Sequence, residues 1–129
     1  MEKVIKINID DIELEASFND TKTAEAIWKV LPLSATINTW GNEIYFPIPI
    51  SIDLERGQDV VNTGELGYWP TGNAFCIFYG RTPMSQGEEI RPASTVTVFG
   101  KIAGDATILK KVSGHNKITI QRKESSVSL

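Results

Sequence analysis

The chain has 129 residues, of which 41% are hydrophobic and 22% charged, and this is the size and composition of one globular domain. Its net charge of −3, with no segment that concentrates basic residues, argues against nucleic acid as a partner. One cysteine and one histidine exclude an internal disulfide and a Cys/His zinc site, so we expect no metal and no cofactor. The longest apolar run, residues 74–79, is too short to span a membrane, and the N-terminus has no signal-peptide core. We therefore expect a soluble, cytoplasmic protein that does not bind membranes.

The start of the chain has the pattern of a β-hairpin. Residues 4–9 and 12–18 alternate apolar and polar side chains, and they flank the pair Asp10-Asp11. Alternation with period two on both sides of a two-residue turn predicts two paired strands with one buried face.

A helix is predicted next. Asp20 or Thr21 can cap it, and Pro32 should end it. The apolar side chains expected to face the core follow helical spacing, and they are Ala24, Ile27, Trp28 and Leu31.

The remainder of the chain has the composition of short strands. Residues 35–40 and 43–50 are joined by Gly41-Asn42, a pair that tolerates positive φ. Pro47 and Pro49 cannot donate to a sheet, so the second of these strands should lie at an edge or leave the sheet there. Further strands are predicted at 74–80, 95–102 and 117–122. Between the strands we expect a loop with at most a short strand at 51–65, a turn at 67–73, a loop at 81–87 and a short helical turn at 106–112.

These elements amount to about eight strands and one or two helices in a single domain over residues 1–123, followed by a flexible C-terminal tail at 124–129. The strand at 74–80 is apolar on both faces, so it must be covered on both sides. Many short strands separated by turns predict a mainly β protein, either a closed barrel or a sandwich.

The sequence contains no strong catalytic motif. It has no glycine-rich phosphate loop, no nucleophile elbow and no metal-ligand spacing. His115 lies in a turn composition, and Cys76 lies in an apolar strand where a thiol behaves as a small hydrophobic side chain. The neighbouring acids Asp10-Asp11 and Glu88-Glu89 are typical of hydrated turns. We therefore predict no catalytic residue.

Aromatic residues are unusually dense between positions 40 and 79. Some must fill the core, but strands alternate faces, and the predicted strands carry aromatic side chains on both. An aromatic cluster on the outside could form a shallow apolar pocket for a proline ring or a flat ligand. The alternative is that the helix containing Trp28 covers this cluster.

Three segments resemble a known family. Residues 96–112 are similar to the late strand and following helix of cyclophilins, and residues 40–46 and 67–83 resemble the small archaeal and bacterial cyclophilin-like family. The resemblance extends over roughly residues 3–123. It implies a closed eight-stranded β-barrel with a helix over each end.

The resemblance also implies a site for peptidyl-prolyl isomerisation, in which an arginine acts on the prolyl amide. Residues 37–40, where that arginine would lie, contain no basic side chain. The pocket glutamine and phenylalanine of cyclophilins fall on Ala74 and Cys76, and their tryptophan-leucine pair falls near Pro83-Met84. The residues of the cyclophilin reaction are thus replaced.

We therefore predict a cyclophilin-like barrel that binds a peptide segment or small ligand in a surface groove, with isomerase activity weak or absent. One alternative is an active isomerase that uses Arg81 as a relocated cation. Another is a non-catalytic subunit of an amide-hydrolysing enzyme, by similarity to barrels of enzymes such as 5-oxoprolinase. The oligomeric state stays open. The predicted groove residues are Asn38, Trp40, Tyr45, Tyr68, Trp69, Phe78 and Arg81.

Overall fold

The computed structural model describes residues 3–112 and 114–123, and the strands within them form one antiparallel sheet. The predicted tail at 124–129 lies outside the described residues. The strands are β1 (Lys3–Ile9), β2 (Ile12–Phe18), β3 (Leu33–Thr36), β4 (Asn38–Thr39), β5 (Glu43–Pro47), β6 (Glu65–Trp69), β7 (Ala74–Phe78), β8 (Thr97–Ala103) and β9 (Lys117–Arg122). Helix α1 covers Lys22–Val30, and two 3-10 helices cover Pro70–Gly72 and Ala106–Lys111.

A single extended segment brings the two ends of this sheet together. The strand order is β3-β9-β1-β2-β8-β6-β7-β5-β4, so β3 and β4 lie at opposite ends although only Ile37 separates them in sequence. The Ile37 N–H donates to the Asn116 carbonyl at 2.9 Å, and its side chain is fully buried. The sheet is thereby nearly closed, which confirms the predicted barrel. The structure has nine strands rather than about eight, in part because the segment predicted as one strand at 35–40 pairs with β9 before Ile37 and with β5 after it. The prediction of a turn at 67–73 is wrong at its start, since β6 occupies Glu65–Trp69 and pairs with β7 and β8.

The first elements form as their sequence pattern predicts. Asp10, with φ of 55°, turns β1 into β2, and Ile9 pairs with Ile12 across the turn. Thr21 caps α1, since its hydroxyl accepts the Ala24 N–H at 3.0 Å. The helix ends at Val30, just before Pro32.

Trp28 does not cover the aromatic cluster, so that alternative is wrong. Its ring makes an edge contact with Phe18 at 6.1 Å between centroids, and the Arg122 guanidinium lies 4.9 Å from the ring centre. Trp28 therefore packs against the main core on α1. Other parts of the chain therefore cover the outer face of β5, β6 and β7.

Side chains inside the barrel form the main core. Phe46 stacks on Phe75 at 5.1 Å between ring centroids, and Phe99 meets both Phe75 and Phe18 edge-on. Ile27 of α1 and Leu109 of the second 3-10 helix complete this core. Dense ring-on-ring packing of this kind stabilises a barrel of this size.

A second apolar cluster lies on the other face of β7. This outer cluster consists of Val61, Ala74, Cys76, Phe78, Ile90 and Val96. Bridges from Gln58 to Val96 and from Val61 to Ile90 hold together the two loops that supply its outer half. Every residue of β7 is buried, which confirms the prediction that this strand is covered on both sides.

Two further findings concern membrane-spanning helices and metal-binding clusters. No helix within the described residues is long and apolar enough to cross a bilayer. Across residues 3–112 and 114–123, no three or more His, Cys, Asp or Glu side chains come together in a way that could hold a metal ion.

Candidate functional site

A cavity of about 190 Å³ lies on the outside of the barrel wall. Strands β5, β6 and β7 supply one side of it, and the covering loop, residues 79–96, supplies the other. Its walls are mainly aromatic and aliphatic, with one carboxyl group. The lining residues are Trp40, Glu43, Tyr45, Trp69, Cys76, Pro92, Ala93 and Val96.

Strand register decides which side chains of β5 and β7 reach the cavity. Tyr45 pairs with Cys76 and Glu43 pairs with Phe78, so these four side chains share the outer face. The residues between them, such as Ile44, belong to the main core. This is the two-residue alternation of an antiparallel pair.

The turn between β4 and β5 fixes Trp40 relative to Glu43. The Trp40 N–H donates to the Glu43 carbonyl at 2.9 Å. Gly41 has φ of +61°, and a Cβ there would lie 2.9 Å from the ring of Pro83. Asn42 donates its N–H to the Arg81 carbonyl at 2.9 Å. Because only glycine fits this close approach, the turn is held against the covering loop.

Trp69 connects β6 to the covering loop. Its indole N–H donates to the Ser94 hydroxyl, beside Pro92 and Ala93. The ring lies over Gly72, where an added Cβ would come within 2.8 Å of it. The indole therefore has a fixed orientation at the edge of the cavity.

Glu43 is the single acidic side chain that lines the cavity. The residue is 5% exposed, and its Oε1 has no hydrogen-bond partner within the described part of the chain. Burial raises the pKa of this carboxyl to about 7, and the nearby Cys76 thiol offsets part of that rise.

The titratable neighbours of Glu43 stay neutral. Burial raises the pKa of the Cys76 thiol well above its usual value, and the nearby Glu43 charge raises it further. The pKa of Tyr79 is raised by the same two causes. Neither group supplies a positive charge that could compensate an ionised Glu43.

A family model described as Cyclophilin-like matches residues 3–121, nearly the whole of the chain. The chain belongs to the cyclophilin-like family. It is also similar to a hypothetical protein from Archaeoglobus fulgidus, known from a solution structure, with 36% identity and a TM-score of 0.81 over 95% of both chains. No curated protein matches the sequence.

The location of the cavity agrees with the cyclophilin-like resemblance at one position. That resemblance places the pocket phenylalanine of cyclophilins on Cys76, and Cys76 lines the cavity. Ala74, where the resemblance predicts the pocket glutamine, belongs to the outer cluster and does not line the cavity.

The seven residues predicted for the groove divide into three groups. Trp40, Tyr45 and Trp69 line the cavity. Phe78 is fully buried in the outer cluster, next to Cys76 along β7. The remaining three lie elsewhere, and they are Asn38, Tyr68 and Arg81.

Each of those three has a structural position that the sequence did not reveal. Tyr68 points into the main core, where its hydroxyl donates to the Ile50 carbonyl at 3.2 Å. Asn38 is exposed, and its amide nitrogen lies 3.5 Å from the Tyr45 carbonyl. Arg81 is exposed, and its guanidinium donates to the Ser85 carbonyl at 3.3 Å.

Sequence reasoning missed the other five lining residues, which are Glu43, Cys76 and the covering-loop residues Pro92, Ala93 and Val96. A signal for Glu43 was present, since it is two residues before Tyr45 on the strand predicted at 43–50 and must share its face. No comparable signal marks Pro92 and Ala93, because the path of a long loop does not follow from periodicity.

Proposed function

We propose that this cyclophilin-like protein binds a small ligand, or one side chain of a peptide, in the cavity on its barrel wall. The observation that carries the proposal is the buried Oε1 of Glu43, which has no hydrogen-bond partner among the described residues, while Glu43 lines a cavity with three aromatic walls. Buried polar atoms in folded proteins are almost always hydrogen-bonded, so an exception inside a cavity calls for a partner from outside. Perturbed titratable groups in clefts are functional-site candidates for the same reason.

The size of the cavity supports a modest occupant. A space of about 190 Å³ is smaller than the ~300–1,000 Å³ typical of sites for drug-sized molecules. One ring or one side chain suits it. This is compatible with a free small molecule and with a residue presented by a peptide.

We do not assign prolyl isomerisation to this site. The expected chemistry needs a cation over the prolyl amide, and no arginine, lysine or histidine of the described chain lines the cavity. Arg81 bonds to its own loop, and Arg91 pairs with Glu89 at 2.7 Å. An isomerase with a relocated arginine, and a subunit of an amide-hydrolysing enzyme, stay hypotheses.

The binding proposal can be tested with a panel of four fragments of similar size, namely cyclohexylammonium, cyclohexanol, cyclohexanecarboxylate and N-acetylproline amide. At least one should shift the indole N–H signals of Trp40 and Trp69 in NMR spectra. Trp28, which packs against Phe18 and Arg122, is the internal control and should not shift.

A blocking variant makes this test specific. Cys76→Phe places a ring in the cavity and should abolish the shifts. Met84→Phe adds a ring to the covering loop at an exposed position that does not line the cavity, and it should leave them unchanged. If no fragment shifts Trp40 or Trp69, or if Cys76→Phe leaves the shifts intact, the proposal is wrong.

A protease-coupled assay with proline peptides separates binding from isomerisation. We expect no rate above the uncatalysed exchange, which takes tens of seconds. A measurable rate that disappears in Arg81→Ala would establish the isomerase hypothesis instead.

A further inference from the structure

We propose that the ligand carries a protonated primary or secondary amine and that Glu43 Oε1 accepts one of its N–H groups inside the aromatic cavity. This inference rests on the function proposed above and names the chemical class of the occupant. It follows from the carboxyl group, from the aromatic walls, and from the absence of a cationic side chain among the lining residues.

The carboxyl group provides the first argument. Oε1 has no hydrogen-bond donor among the described residues, and Glu43 is 5% exposed, so water has little access to it. A buried charge is tolerated when it is paired, and otherwise the group tends to become neutral. No cationic side chain of the described residues lines the cavity, so a positive charge that pairs with the ionised carboxyl has to come from a ligand.

The aromatic walls provide the second argument. Trp40, Tyr45 and Trp69 border the same space as Glu43. The faces of indole and phenol rings attract cations, and several such rings around one site are a known means of holding ammonium groups. The rings and the carboxyl group therefore favour the same kind of ligand.

Other ligand classes fit less well. An anion would be repelled by an ionised Glu43 and finds no positive partner among the lining residues. A quaternary ammonium ion has no N–H, so it would leave Oε1 without a donor. A neutral amide carbonyl could bind only to the protonated form of Glu43, as an acceptor of its O–H.

The response to pH distinguishes an ammonium from a neutral amide. The pKa of Glu43 is about 7, whereas the raised pKa values of Cys76 and Tyr79 keep both groups neutral near pH 7. The other titratable side chain in the lining is Tyr45, on β5. No titratable group comes from the lining residues of β6 and the covering loop, which are Trp69, Pro92, Ala93 and Val96. Ammonium affinity should therefore increase as pH rises through 7, and amide affinity should decrease.

The decisive experiment compares cyclohexylammonium with cyclohexanol, which has a similar shape but no charge. Affinities are measured by NMR titration of Trp40 and Trp69 in the wild-type chain and in Glu43→Gln. Near pH 8 we expect the ammonium to bind the wild type at least about tenfold more tightly than the alcohol. Glu43→Gln should remove this preference.

Two controls make the result independent of folding defects and of net charge. Glu88→Gln removes a charge from an exposed position in the covering loop and should keep the preference. In the wild type alone, ammonium affinity should fall about tenfold from near pH 8 to near pH 6, in proportion to the ionised fraction of a carboxyl with a pKa of about 7.

The outcomes separate this inference from the proposed function. If cyclohexanol or cyclohexanecarboxylate binds as tightly as the ammonium, or if affinity falls with rising pH, the amine assignment is wrong and the cavity still binds ligands. If Glu43→Gln folds and retains the preference, the assignment is also wrong. If no fragment binds at all, the proposed function itself fails.

Discussion

The two faces of β7 are built from alternate residues of one five-residue strand, yet they differ in packing and in polarity. Phe75 and Ile77 face inward and are fully buried in the main core. Ala74, Cys76 and Phe78 face outward, where Cys76 borders a cavity that Glu43 also lines. The Oε1 atom of Glu43 has no hydrogen-bond partner within residues 3–112 and 114–123. The inner face is filled with rings, whereas the outer face leaves space beside a carboxyl group.

This contrast shows how one strand can contribute both to a filled core and to the wall of an open cavity. A closed, ring-packed interior holds the strands in register without help from the outer side chains. A cavity and a desolvated acid each lower the stability of the folded state. The outer face can retain both because the packing of the barrel interior compensates for this loss. Substitutions on the two faces should accordingly have different consequences.

The largest effect is expected from Phe75→Ala. Phe75 contacts the rings of Phe46 and Phe99, so truncation leaves a cavity in the main core and should lower the free energy of unfolding by about 3–5 kcal/mol. The adjacent Cys76→Ala removes one sulfur atom that already borders a cavity and should cost only about 1 kcal/mol. Urea denaturation measures both. Equal losses for the two variants would contradict the distinction between the faces.

A smaller, pH-dependent effect is expected from Glu43→Gln. Folding raises the pKa of Glu43 from 4.5 to about 7, so the folded state holds its proton more tightly than the unfolded state. The stability that this proton provides is complete below about pH 4.5 and is lost as pH rises through 7. The shift corresponds to about 3 kcal/mol.

The Glu43→Gln variant has no titratable group at this position. As the pH rises from 4 to 8, its free energy of unfolding should therefore increase relative to that of the wild type by up to about 3 kcal/mol. Glu88→Gln, at an exposed position, is the control and should follow the wild type. Parallel curves for wild type and Glu43→Gln would show that Glu43 is not desolvated in the folded protein.

The smallest effect is expected from Arg81→Ala. The exposed guanidinium donates one hydrogen bond of 3.3 Å to the Ser85 carbonyl, and such surface interactions contribute about 0.5 kcal/mol or less. Thermal unfolding should therefore be almost unchanged, and so should fragment binding at Trp40 and Trp69. A tenfold loss of binding in this variant would place Arg81 in the site after all.

Much of the fold could be predicted from local patterns. The hairpin at Asp10, the helix capped by Thr21 and the end of β5 at Pro47 each depend on a few neighbouring residues whose preferences agree. Barrel closure was predicted from the number of strands and from the family resemblance. The division of the segment around Ile37 was not, because it depends on which distant strands pair with each half.

The site was predictable only in part, for a related reason. Aromatic density identified Trp40, Tyr45 and Trp69, which line the cavity, but it also selected Tyr68, whose side chain faces inward. Tyr68 and Trp69 are neighbours on β6, so their side chains face opposite sides of the sheet. This alternation could not be applied from the sequence, because the segment at 67–73 was predicted as a turn and not as a strand. Glu43 becomes notable only when the loop that buries it is located in space.

The covering loop forms one wall of the cavity but is only lightly attached to the barrel. It supplies Pro92, Ala93 and Val96 to the cavity, and it contacts the barrel through the Trp69 to Ser94 bond and the turn at Gly41. Two isolated bridges join it to the loop that precedes β6. The ladders between strands do not pass through it. Changes in the length or composition of this loop can therefore reshape one half of the cavity wall while the strand pairing of the barrel stays the same.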